Sequence, residues 1–135
     1  MKYGRVLVSV ILFAGLFRYA TTQVPDTNKS LPKYDLASEV TLKGTITDIS
    51  ERNCPVSGGL GFHFILKIQD GTTIEVHVAT SKFVKSYEIG LKKDDKVEVV
   101  GSKVKFEGAD TIFARQITRG DEVFLVRFKD GSPAW

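Results

Sequence analysis

Only one cysteine, Cys54, occurs in the 135 residues, which excludes an internal disulfide and leaves stability to apolar burial. An intermolecular disulfide or a free thiol stays open. Histidine is nearly as scarce, with His63 and His77 alone. Long hydrophobic runs are missing too. The one apolar stretch, Val6 to Phe17, has twelve residues, short of the roughly 20 that a membrane-spanning helix requires. Preceded by Lys2 and Arg5 and followed by the small residues Ala20 and Thr22, it reads as a secretory signal over residues 1–22, with a retained N-terminal anchor as the alternative. A periplasmic or secreted protein is expected.

Removing that segment also removes the net charge. The chain carries 19 Lys+Arg against 16 Asp+Glu, and losing Lys2, Arg5 and Arg18 leaves 16 basic residues against 16 acidic ones. A nucleic-acid binder is first recognised by a basic footprint, because neutralised phosphates supply most of its sequence-independent affinity. Here the footprint vanishes on maturation, which counts against that class.

What is present is a β-hairpin. From Phe62 to Val78 the sequence alternates strictly, with Phe62, Phe64, Leu66 and Ile68 on one face of the first arm and Ile74, Val76 and Val78 on the same face of the second. For both apolar sets to share a face, Phe64 must lie opposite Val76 and Leu66 opposite Ile74. This leaves Gln69, Asp70 and Gly71 as a three-residue loop, a type I turn closed by a left-handed glycine. The same register sets Phe62 against Val78, Ile65 against Glu75, and His63 against His77.

Around the hairpin the chain divides readily. Residues 23–38, with Pro25 and Pro32 and no periodicity, read as an extended leader, on which Leu31, Tyr34 and Leu36 are available to pack. A first strand is predicted from Glu39 to Ile49 with a bend at Gly44. Ser50 to Gly61, punctuated by Pro55, Gly58, Gly59 and Gly61, reads as the longest loop of the domain. A short helix is expected from Thr80 or Ser81 to Gly90, then strands at Lys96–Phe106 and Thr111–Thr118 around a tight turn at Glu107–Asp110. A last strand at Val123–Phe128 is apolar on both faces except for Arg127, which predicts a place between other elements. The terminal Trp135 is expected to pack down on the domain. The order predicts one all-β domain at 39–135: a five-stranded Greek-key OB-fold barrel with a short helix between strands three and four and an additional C-terminal strand.

Two motifs carry a resemblance. Val40-Thr41-Leu42-Lys43-Gly44 and Asp95-Lys96-Val97-Glu98-Val99-Val100-Gly101 resemble strands one and four of the small exported bacterial OB-fold (BOF-type) proteins associated with stress tolerance, over about residues 39–118. The resemblance implies a periplasmic, non-enzymatic OB domain that binds small ligands. The long first loop and everything after Thr118 depart from that pattern, and no binding residue is carried over.

OB domains usually bind on the outer face of strands two and three and the loops beside it. That face is predicted to present His63, Ile65, Lys67, Thr73, Glu75 and His77 as a half-exposed polar surface, bordered by Gly58 and Gly59 of the first loop. No aromatic platform for base stacking is expected on it. Two facing imidazoles with Cys54 or Glu75 offer ligands to a transition metal such as zinc, copper or nickel. A hydrolytic Cys-His site has no evident oxyanion donor, so no enzyme is expected. Lysines 82, 85, 92, 93 and 96 are interspersed with acids and read as a mixed-charge surface, while Arg115, Arg119 and Arg127 are candidates for a separate cluster. The sequence thus predicts an exported, monomeric or weakly associating binding module for a small molecule, ion or protein partner. Oligonucleotide binding and metal binding through the histidine pair are the alternatives.

Overall fold

The computed structural model describes residues 30–135; the expected signal segment at 1–22 and residues 23–29 of the expected leader lie outside the described residues. Six strands follow a 3-10 turn at Leu36–Ser38: β1 (Glu39–Cys54), β2 (Gly59–Ile68), β3 (Thr73–Thr80), β4 (Lys96–Phe106), β5 (Ala109–Arg119) and β6 (Glu122–Leu125), with one helix, α1 (Ser81–Ser86), between β3 and β4. The sheet order is β3-β2-β1-β4-β5-β6, antiparallel throughout, and a short parallel contact between β3 and β5 closes the first five strands into an uneven ring. Among the described residues no helix is long and apolar enough to cross a membrane.

β1 is the shared strand. Its first half pairs with β4, its second half with β2, and Gly44 sits at the handover, opposite both Val97 and Ile68. A β-carbon at Gly44 would run into the Lys67 carbonyl, so the bend predicted there depends on glycine. The ring's interior holds Ile46, Phe64, Leu66, Val76, Val99, Ile112 and their neighbours, most of them fully buried. α1 covers one end of it through Val84 and, more shallowly, Phe83, capped by the Thr80 hydroxyl accepting from Phe83 N–H at 3.2 Å.

The hairpin register holds at Phe64–Val76, Ile65–Glu75, Leu66–Ile74 and His63–His77. Gly71 takes φ +86°, and its N–H donates to the Ile68 carbonyl at 3.0 Å, as the three-residue turn requires. One pairing needs correction. Phe62 faces Ala79 and not Val78, because Val78 is the extra residue of a β-bulge.

The larger correction concerns Ser50 to Gly61. Its breaker residues do not make a long loop: β1 runs on to Cys54, β2 starts at Gly59, and only Pro55–Gly58 turn between them, with Gly58 at φ +76°. Pro55 falls just past the last paired residue, where its missing N–H costs nothing, and Gly59 and Gly61 lie within the ladder. Cys54 is consequently a buried strand residue, not a member of a flexible loop.

Smaller differences remain. The helix stops at Ser86, and the turn between β4 and β5 is the two residues Glu107 and Gly108, both with positive φ. β6 is an edge strand and not an interior one: Val123 and Leu125 are exposed, as is Phe128 beyond it. Trp135 packs against the core as expected. Tyr34 anchors the segment before β1, its hydroxyl donating to Glu39 at 2.6 Å, while Leu31 and Leu36 stay exposed.

Candidate metal centre

Strand alternation brings three residues together on the outside of the ring. Because β1 continues past Ile49, Ser50, Arg52 and Cys54 share a face; Ser50 pairs with His63, and His63 with His77. This face is not solvated near the histidines. His63, His77 and Cys54 are 0%, 4% and 2% exposed. Phe106 and Phe113, at the far end of the β4–β5 hairpin, close over them, with Phe106 edge-on to His77 at 5.2 Å and Phe113 tilted at 5.5 Å. The expected half-exposed polar surface is therefore, at this end, a second buried cluster.

The two imidazoles stack with centroids 3.9 Å apart and planes 22° from parallel. One edge of the stack meets Glu75, whose Oε1 accepts from His63 Nδ1 at 3.0 Å and lies 3.5 Å from His77 Nε2. The His77 approach is an electrostatic contact and not a hydrogen bond, so both Nε2 atoms lack a hydrogen-bond partner. Arg52 holds the same carboxylate from the solvent side. At the other edge, Cys54 Sγ lies 3.5 Å from His77 Nδ1. One donor atom from each of Cys54, His63 and His77 falls within 4.8 Å of the other two.

Electrostatics favour neutral imidazoles. Burial is the first cause depressing His77, to about 4, reinforced by the neighbouring His63; His63 is lowered by burial and then by the Arg52 charge. For Glu75, burial works toward protonation but is outweighed by the hydrogen bonds and charge that its neighbours supply, Arg52 first among them, so its pKa falls. An ionised Glu75 is an acceptor only, so it accepts a hydrogen bond from His63 Nδ1–H, which leaves the lone pair on Nε2.

That nitrogen faces Gly61. A β-carbon there would stand 2.7 Å from His63 Nε2, 2.9 Å from Ser57 Oγ and 3.1 Å from Cys54 Cβ. Glycine thus leaves a small space bordered by all three residues.

The other expected site residues separate. Ile65 is half-buried, Lys67 and Thr73 are exposed at the opposite end of the hairpin, and Gly58 and Gly59 have nothing within 4 Å of their β-positions. Nor do the arginines cluster. Arg115 makes a two-pronged pair with Glu39 at 2.7 and 2.9 Å, and Arg119 pairs with Asp95 and Glu122. Arg127 is buried against Tyr34, Phe113 and Trp135 and donates to the Gly131 carbonyl. Sequence reasoning missed Arg52, Ser57 and Gly61. Carrying the β1 alternation two steps past Ser50 would have put Arg52 and Cys54 on the histidine face.

Residues 38–124, which are 87 of the 135, match the model of the MamS/MamX magnetosome protein family. The chain belongs to that family. The matched stretch includes Cys54, His63, Glu75 and His77; the family it identifies is not the stress-tolerance family expected from the strand motifs, and no match supports that resemblance. No curated protein matches the chain.

Proposed function

We propose that this member of the MamS/MamX family is an exported, non-catalytic metal-binding module of the OB type, with Cys54, His63 and His77 as its protein ligands. The family name attaches its members to the magnetosome, and we extend that setting to this chain. The OB assignment is supported by the closed ring of five strands with the helix between the third and fourth.

One observation carries the metal reading: a thiol and two imidazoles, all buried, converge within 4.8 Å. Donors bound to one ion at about 2.0–2.3 Å lie roughly 3.3–4 Å apart at tetrahedral or trigonal angles. The Cys54–His77 separation of 3.5 Å already falls in that interval. Glu75 supplies what a ligating histidine ordinarily has, a carboxylate on its other nitrogen that fixes the tautomer. Buried imidazole nitrogens without partners cost stability, and an ion would satisfy the one that faces Cys54. Oligonucleotide binding has less support, since the rings on this face, Phe106 and Phe113, are buried and unavailable for stacking.

Calorimetric titration of the mature protein with zinc, copper and ferrous iron tests this. One ion per chain is expected for the native protein and none at comparable affinity for His63→Ala. Equal binding by the two proteins would remove the site.

A further inference from the structure

From the donor set and its enclosure we infer that the ion is copper, held by Cys54 Sγ, His63 Nε2 and His77 Nδ1 once the stacked rings turn toward the thiol, with the Ser57 hydroxyl beside them as a weak fourth donor. This rests on the metal reading above and goes on to name which metal.

The chemistry separates the candidates. Structural zinc sites are almost always closed by four strong protein ligands, and catalytic ones keep an open position for water or substrate. Here the strong donors number three, each at most 4% exposed, and His77 is walled by Phe106 and Phe113. Glu75 cannot serve as the fourth, because its carboxylate sits on the opposite edge of the imidazole stack, committed to His63 and Arg52. Ferrous iron is weaker than copper at any such donor set by the ordering of divalent ions, and the carboxylate that its two-histidine sites use is here, as Glu75, committed to His63 and Arg52. Two imidazoles and one thiolate, with at most one further weak oxygen or sulfur, is the donor set that copper takes in electron-transfer sites.

Ser57 lies beside the three donors. The residue is half-buried on the Pro55–Gly58 turn, its Oγ has no hydrogen bond among the described residues, and that atom borders the same space as His63 Nε2. Gly61 keeps that space free. A methyl group there would press on the nitrogen donor and the hydroxyl together.

The test loads the metal-free, reduced, mature protein with one equivalent of Cu(II), Cu(I), Zn(II) or Fe(II) in separate arms. With Cu(II), an intense visible thiolate-to-copper charge-transfer absorption and a narrowed copper hyperfine splitting are expected at one ion per chain. Cys54→Ser should abolish the absorption. Ser57→Ala should keep it while altering the hyperfine splitting, and Gly61→Ala should weaken it. Cu(I) should displace bound zinc at equal concentrations. Because Gly61→Ala strains a buried site, Ser57→Ala, at a half-buried turn position whose hydroxyl has no hydrogen bond to lose, keeps the test independent of folding. Zinc holding the site against Cu(I), or Cu(II) giving only a weak absorption, overturns the copper assignment and leaves metal binding standing. Failure of every ion to bind overturns both.

Discussion

The two faces of the β2–β3 hairpin are built from the same strands with the same period, and they solve opposite problems. The inner face carries Phe64, Leu66 and Val76, fully buried among apolar neighbours and leaving no polar group to satisfy. The outer face, one residue out of phase, buries His63 and His77 as completely and leaves a ring nitrogen of each without a hydrogen bond. Burying unpaired polar atoms opposes folding, so the inner face is what stabilises the hairpin. The outer face is a cost that the fold tolerates where a ligand can offset it. That contrast, more than the presence of two histidines, is why the outer cluster is read as a site.

The most severe way to break the contrast is to truncate both sides. Phe64→Ala removes a ring from the centre of the core and is expected to lower unfolding free energy by about 3–5 kcal/mol. The double replacement of His63 and His77 by Leu removes both orphaned nitrogens and leaves Glu75 paired with Arg52. It is expected to be near neutral or stabilising in the metal-free protein. Urea denaturation of the two variants beside the native protein decides this; a loss in the double variant as large as that in Phe64→Ala would make the outer cluster structural.

Acid separates the faces without mutation. The unfolded chain takes up a proton at His77 near the ordinary value of 6.5, and the folded chain refuses it until about pH 4. Stability of the metal-free protein is unaffected by this group above pH 6.5. It then falls as pH drops from 6.5 toward 4, at about 1.4 kcal/mol per pH unit and roughly 3 kcal/mol in all. His63, lowered in the same direction, adds to the slope. Denaturation midpoints measured across this window should fall for the native protein, and the decline should flatten in the double Leu variant.

How far this contrast was legible in the sequence depended on range. The His63–His77 pairing followed from local information, since the alternation and Gly71 fix the register within seventeen residues. Burial of the pair did not. It needs β1 to extend through Arg52 to Cys54, hidden by the glycines and Pro55, and it needs Phe106 and Phe113 to fold over from a hairpin thirty residues further on. The bulge at Val78 was equally invisible, because an extra residue leaves an alternating apolar run looking regular. Edge position also escaped: Val123 and Leu125 look like core residues in sequence, and only the sheet order shows that β6 has a neighbour on one side alone.

A finer test acts on the support of the site and spares its ligands. Glu75→Gln keeps the size of the side chain but loses the anionic acceptor that holds His63 Nδ1–H and the partner of Arg52. Outer-shell carboxylates of this sort are worth about 10–100-fold in metal affinity, and a loss of that size is expected by competition with a chelator. An unchanged affinity would mean that the His63 ring is positioned by stacking on His77 alone.

The smallest expected effect sits on the same outer face, at its other end. Lys67 lies opposite Thr73 beside the Gly71 turn, both exposed, where the covering aromatics do not reach. No salt bridge or hydrogen bond involves the Lys67 side chain among the described residues, so Lys67→Ala removes a solvated charge and little else. Its effect on stability is expected to stay within about 0.5 kcal/mol, with metal affinity unchanged. Measured beside Glu75→Gln, this variant locates where along one strand face the polar pattern stops being surface and becomes a site. If Lys67→Ala weakened metal binding as much as the Glu75 change, the ligand-binding surface would extend down the whole hairpin, and the buried cluster would be only its deepest part.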